Sequence, residues 1–186
     1  MESIHKFGFL NPEELPYEYP NIWAIEETSG PGRLAIAPGR NQIEMLLKLT
    51  KAMPEPFGVL YVLTLGRSDS EPGHYQCAEP KSRQEIESFL IEFKQFFEED
   101  GRHHLWIRSE SGLDLLVYDR HNKIYAYGAL EEFANIASAA GLTPAPAIQI
   151  PMPHVHHYHP KHDQDEVKLM QYWEWLHTPL RESDEE

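Results

Sequence analysis

The sequence predicts an α+β protein, a mixed, mainly antiparallel sheet in a single layer flanked by packed helices. Three observations predict it. Strand-like runs follow one another without an intervening helix, which a doubly wound parallel sheet does not allow. Separate stretches carry apolar residues at helical spacing. The 186 residues suffice for one core and fall short of two, so residues 1–186 read as a single domain.

Taken in order, residues 1–32 read as an irregular aromatic arm. Pro12, Pro16, Pro20 and Pro31 deny it regular ladders. Phe7, Phe9, Tyr17, Tyr19 and Trp23 nevertheless predict that it buries surface across the main body. Arg33–Ala37 is a short strand ended by Pro38-Gly39. Asn41 and Glu44 have the spacing of a capping box. Ile43, Leu46, Leu47 and Thr50 form the buried stripe of the helix that follows, and Pro54 and Pro56 end it. Phe57–Leu65 is nearly all apolar and predicts a central strand covered on both faces.

His74–Ala78 is an edge-strand candidate. Ser82 and Glu85 form a second capping box, and Ile86, Phe89, Leu90, Phe93, Phe96 and Phe97 continue one helical stripe to the stop at Asp100-Gly101. A meander follows in His104–Ser109, Leu113–Asp119 and Lys123–Tyr127, with Ser111-Gly112 and His121-Asn122 at its turns. A third helix runs from Leu130 to Ala140, stopped by Gly141, and Ala147–Ile150 is the final strand. Asp163, with Glu166 as box partner, opens a last helix whose stripe is Leu169, Tyr172, Trp173 and Leu176. Residues 178–186 are an acidic tail expected to be disordered. The expected core comprises Ile43, Leu46, Leu47, Val59, Tyr61, Leu63, Phe89, Leu90, Phe93, Phe97, Leu115, Val117, Phe133 and Trp173.

Composition narrows the partners. Thirty acidic against sixteen basic residues give a formal charge of −14. A field of that sign repels phosphate backbones and suits a basic protein partner, so nucleic acid is not expected. The single cysteine, Cys77, excludes an intrachain disulfide and a Cys-rich zinc site, and fits a reducing, cytoplasmic setting. No secretory leader pattern opens the chain, and the longest apolar run is far too short for a membrane span.

The loudest chemical signal is the segment Pro153-His154-Val155-His156-His157-Tyr158-His159-Pro160-Lys161-His162. Side chains of an extended chain alternate faces, so His154 and His156 share one face and His157 and His159 the other. Imidazoles at such spacing suit zinc or another divalent transition metal, which makes His154, His156, His157, His159 and His162 the candidate ligands. The spacing matches no named metal motif, and a polar, histidine-rich loop is the plainer alternative. His103-His104 precedes Trp106 on a strand, so one of the pair shares its face. Asp119-Arg120-His121-Asn122 reads as a solvated turn. Tyr158, Tyr172 and Trp175 form the candidate partner-binding surface, since aromatic anchors with a polar rim mark recognition sites.

No residue set fixes a reaction, and whether the chain is an enzyme stays open. The leading expectation is a non-enzymatic, acidic, cytosolic binding or regulatory protein, inhibitor- or immunity-like, acting on a protein partner. The alternative is a metal-dependent enzyme, a hydrolase, built on segment 154–162. Geometry separates them: histidines converging beside an acid in a cleft favour the enzyme, and histidines splayed over a convex surface favour the binder.

Overall fold

A computed structural model describes residues 4–11, 13 and 15–181. Its elements in chain order are β1 (Phe7–Phe9), β2 (Ile22–Glu26), β3 (Arg33–Ala37), α1 (Gln42–Ala52), β4 (Phe57–Leu63), β5 (Gly73–Cys77), α2 (Arg83–Glu92), α3 (Lys94–Glu99), β6 (His103–Ser109), β7 (Leu115–Tyr118), β8 (Ile124–Tyr127), α4 (Leu130–Ala139), β9 (Thr143–Pro144), β10 (His154–His156), a 3-10 turn (Pro160–His162), α5 (Asp163–Tyr172) and β11 (Trp175–Pro179). Nine strands form one sheet in the order β11-β5-β4-β6-β7-β8-β3-β2-β9. Every pairing in it is antiparallel except β2 with β9. β1 and β10 make a second, two-stranded antiparallel sheet. The mixed α+β class is therefore as the sequence predicts. Among the described residues no helix is long and apolar enough to cross a membrane.

Period-two alternation decides which side of the large sheet is covered. On β6, His103, Leu105 and Ile107 are buried while Trp106 and Arg108 are exposed. The buried set joins Leu34, Ile36, Val59, Tyr61, Leu63, Leu116, Tyr118, Ile124 and Ala126 in one core with the apolar stripes of α1, α2, α3 and α4. The helices thus cover one face. β4 lies between β5 and β6, and Val59, Tyr61 and Leu63 point into the helical core while Leu60 and Val62 face the other side, so it is not sandwiched between two helical layers.

The opposite face is covered in part by the N-terminal segment. Phe7, Tyr19, Ala24, Ala35, Ala37 and Ile148 form a separate small core, with Tyr17, Tyr125 and Ile150 against it. The expected irregular arm therefore contains two strands, β1 and β2, and its prolines fall outside both. Lys6 comes with it into the interior. Its Nζ donates to the Phe97 carbonyl at 3.0 Å and lies 4.0 Å from the centre of the Tyr118 ring. Burial pulls its pKa down to about 7, with Asp119, Asp100 and Glu98 opposing the shift.

Several local expectations change once tertiary partners enter. Asn41 sits in the left-handed region at φ 57 and makes no side-chain cap; instead Glu98 of α3 accepts the Ile43 N–H at 2.9 Å. Ser82 and Glu85 do form the reciprocal capping box. The long phenylalanine stripe is interrupted at Phe93, which separates α2 from α3, yet Phe89, Phe93, Phe96 and Phe97 all remain buried. Ala147–Ile150 forms no strand, because Pro146 and Pro151 flank it without N–H donors. The last helix stops at Tyr172, and Trp175–Pro179, expected as helix end and disordered tail, pairs instead with the open edge of β5. Residues 182–186 of the expected tail lie outside the described residues. Of the expected core, Leu47, Leu115 and Trp173 are half-buried and the rest are buried.

Arg102 fixes the end of the sheet nearest the histidine segment. Its guanidinium grips Asp100 through Nε and Nη2 at 2.8 and 2.9 Å, and Nη1 donates to Glu166 at 2.6 Å and Asp163 at 3.1 Å. Arg102, Asp100 and Glu166 are fully buried. Glu166 also accepts from Ser68 and from the Arg67 and Ser68 backbone N–H groups, so it is a buried counterion rather than the capping residue its position suggests. Arg102 and Asp100 further bind the His159 carbonyl and N–H, at 3.2 and 2.7 Å, which anchors the chain just beyond β10.

Candidate metal centre

Two segments far apart in sequence bring three histidines together. In β10 the register sets His156 opposite Phe7 and His154 opposite Phe9, with Val155 between them on the other face. Alternation therefore aims His154 and His156 the same way. The third histidine comes from the β7–β8 turn. Asn122 takes φ 61 there, and Asp119 Oδ1 accepts the N–H groups of His121 and Lys123, both at 2.9 Å. The other carboxylate oxygen lies 3.1 Å from His121 Nδ1, which holds the ring and leaves Nε2 outward.

His121, His154 and His156 each present a ring nitrogen, and these atoms all lie within 4.8 Å of one another. The ring centres are 5.1, 4.8 and 5.1 Å apart, and every pair is edge-on rather than stacked. Phe7, almost fully buried, closes one side: its ring lies 5.8, 6.2 and 6.1 Å from those of His121, His154 and His156. A tetrahedral ion with bonds of about 2.0–2.1 Å needs nitrogens roughly 3.3–3.4 Å apart, so the rings would close by on the order of an ångström.

Hydrogen bonding marks which nitrogens remain for a ligand. His121 Nδ1 is taken by Asp119. His154 Nδ1 is 3.0 Å from the Pro151 carbonyl, leaving its Nε2. Both His156 nitrogens are buried without a hydrogen-bond partner, an arrangement that normally costs on the order of 1–3 kcal/mol for each polar atom. Burial first, and then the neighbouring His121 and Arg120, lower the His156 pKa to about 3. His154 is lowered for the same leading reason. Both rings are thus neutral at physiological pH, the state a metal requires. Burial would raise the Asp119 pKa, but the hydrogen bond and charge of His121, with Lys123, lower it on balance. It is a carboxylate at neutral pH.

A cleft of about 410 Å³ opens beside the triad on the face of the large sheet away from the helices. Asp119, Arg120 and His121 form one end, and Trp106, Tyr125 and Tyr127 supply aromatic walls. His104 lines it too, sharing the face of Trp106 as the strand alternation predicts, and burial holds it neutral with a pKa of about 4. His103 points the opposite way into Phe96, Phe97 and Tyr61.

The remaining predicted ligands lie elsewhere. His157 stacks edge-on against His5 at 4.3 Å, and His159 Nε2 is 2.9 Å from the His5 carbonyl. His162 is buried between Glu99 and Asp165, at 3.0 and 2.7 Å. Tyr172 and Trp175 belong to the aromatic cluster around Phe89, and Trp175 Nε1 donates to the Leu169 carbonyl at 3.0 Å. Tyr158 is half-buried in the histidine segment. Sequence reasoning missed His121. The signal available was Asp119 two residues before it, a carboxylate placed to orient an imidazole.

Compared with protein-family models, curated proteins and solved structures, the chain shows no match.

Proposed function

We propose that the protein is a metal-dependent hydrolase in which His121, His154 and His156 hold one divalent transition metal ion, zinc being the best fit. The observation that carries this reading is the convergence of three imidazole nitrogens around the partnerless His156 ring. A neutral three-imidazole set suits zinc, and a three-ligand site leaves a fourth position for water. Held by His121, His154 and His156, such an ion would supply Lewis-acid activation of a water at neutral pH, so that no separate base would be needed. Arg120, at the cleft end beside His121, is placed to steady negative charge that develops on an attacked substrate. The expectation of a non-enzymatic regulator with a basic partner rests on net charge, which governs association rather than chemistry. A cytoplasmic setting is proposed on the single cysteine.

The test is calorimetric titration of untagged, chelator-treated protein with zinc. One ion per chain is expected. His121→Ala and the double variant His154→Ala/His156→Ala should each abolish tight binding, while His157→Ala/His159→Ala should leave it unchanged. Equal losses in all three would mean a compositional tract, and no binding in the wild type would remove the metal centre. Turnover of 4-nitrophenyl esters that disappears on chelation and returns with zinc would support the hydrolytic step; metal binding without turnover would confine the site to binding.

A further inference from the structure

The cleft runs from a polar end formed by Asp119, Arg120 and His121 to aromatic walls. Register fixes this. Trp106 pairs with Val117, Val117 with Tyr125 and Tyr125 with Ala35, so one transverse row carries both rings on the open face. The neighbouring row, two residues along each strand, runs through His104 and reaches Asp119, where the turn bearing Arg120 and His121 begins. Rows two residues apart are separated by about 6.6–6.8 Å. That span accommodates an aromatic ring together with an oxyanion attached to it. Trp106 is 38% exposed, so its ring is available to a ligand.

The charges in the cleft are unequal in availability. Arg33 is committed: it pairs with Glu26 at 2.8 Å, donates to the Tyr127 hydroxyl at 3.2 Å and lies 3.9 Å from the Tyr125 ring centre. Asp119 is committed to His121 and to the turn backbone. Arg120 makes no ion pair or side-chain hydrogen bond among the described residues. In a chain of formal charge −14, an arginine left without a carboxylate in a cleft of small-molecule size is a place for an anion.

We infer that this cleft binds a small aromatic compound bearing one carboxylate or phosphate group, its oxyanion on Arg120 beside the metal position and its ring on the exposed face of Trp106, since the Tyr125 ring is already faced by Arg33 and Lys123. This deepens the hydrolase reading by naming the substrate class, and rests on it only for the metal's share of the oxyanion. Neutral aromatic compounds lack the charge-assisted hydrogen bonds and bind less tightly.

The experiment measures binding of phenyl phosphate, benzoate and benzyl alcohol by calorimetry to metal-free and zinc-loaded protein. Both anions should bind both forms, more tightly with zinc, and benzyl alcohol should be weaker by about tenfold or more. Arg120→Gln should weaken the anions in the metal-free protein by about tenfold without affecting benzyl alcohol. Trp106→Ala should weaken all three, and circular dichroism checks that both variants fold. The inference is overturned if neither form binds the anions, if benzyl alcohol binds as well, or if Arg120→Gln changes nothing. Should anions bind only the zinc form and ignore Arg120, the metal alone is the anion site and the cleft assignment is wrong. Should zinc fail to bind at all, the hydrolase reading falls while the metal-free measurements still decide the ligand class.

Discussion

At the scale of single residues, the contact that organises the candidate centre is Asp119 with His121. The carboxylate fixes the ring through Nδ1 and makes Nε2 a better donor to a metal, the usual function of a carboxylate behind a ligating histidine. Asp119→Asn separates that effect from the fold. The amide oxygen can still accept the N–H groups of His121 and Lys123 that shape the turn, but the negative charge is gone. Zinc affinity should fall by about 10–100-fold with little change in unfolding midpoint. Calorimetric titration beside a urea melt checks both, and an unchanged affinity would mean that Asp119 serves the turn alone. The sequence exposes this site unevenly. His154 and His156 are legible as a pair because strand alternation is local. His121 is not, since its approach depends on where β10 lies against the β7–β8 turn. His157, His159 and His162 show the converse: composition announces histidines without saying which face or partner each will have.

At the scale of elements, long-range partners decide what local patterns leave open. The apolar stripes of α1 and α2 and the meander β6-β7-β8 follow directly from periodicity, which is why their positions are readable in advance. The end of α5 is not, because an open strand edge on β5 captures Trp175–Pro179 and outweighs helical spacing. Glu166 is the sharpest case. Its spacing from Asp163 suggests a cap, but its carboxylate is buried on Arg102. Arg102→Ala would strand Asp100 and Glu166 as buried charges without their shared counterion, and should cost about 3–5 kcal/mol. Arg108→Ala, which removes only an exposed pair with Glu110, should cost less than about 1 kcal/mol. Denaturant unfolding of the two variants compares them directly. Similar small losses would show that Asp100 and Glu166 are satisfied without Arg102.

At the scale of the whole molecule, the triad bridges the two sheets, since His121 belongs to a turn of the large one and His154 and His156 to β10 of the small one. An ion held by all three would tie them together, and its binding energy would appear as folding energy. Zinc at a hundred times its dissociation constant should add about 2.7 kcal/mol to unfolding, and chelation should remove it. The gain in hydrogen-exchange protection should concentrate in β1 and β10 rather than in β4 and β6. Acid should reverse part of the intrinsic stability, and the sign follows from burial. His156 and His104 have folded pKa values near 3 and 4 against an ordinary 6.5, and His103 is also lowered by burial. Between those values and 6.5 the unfolded chain binds more protons, so stability falls as pH is lowered through that window, by up to about 1.4 kcal/mol per pH unit for each histidine. Urea unfolding from pH 7 to pH 4, with and without zinc, should therefore show a falling curve in the metal-free protein. The zinc increment should be absent throughout from His154→Ala/His156→Ala. An increment that survives in that variant would place the ion elsewhere, and a metal-free curve that is flat over the window would mean that the buried imidazoles titrate as they do in water.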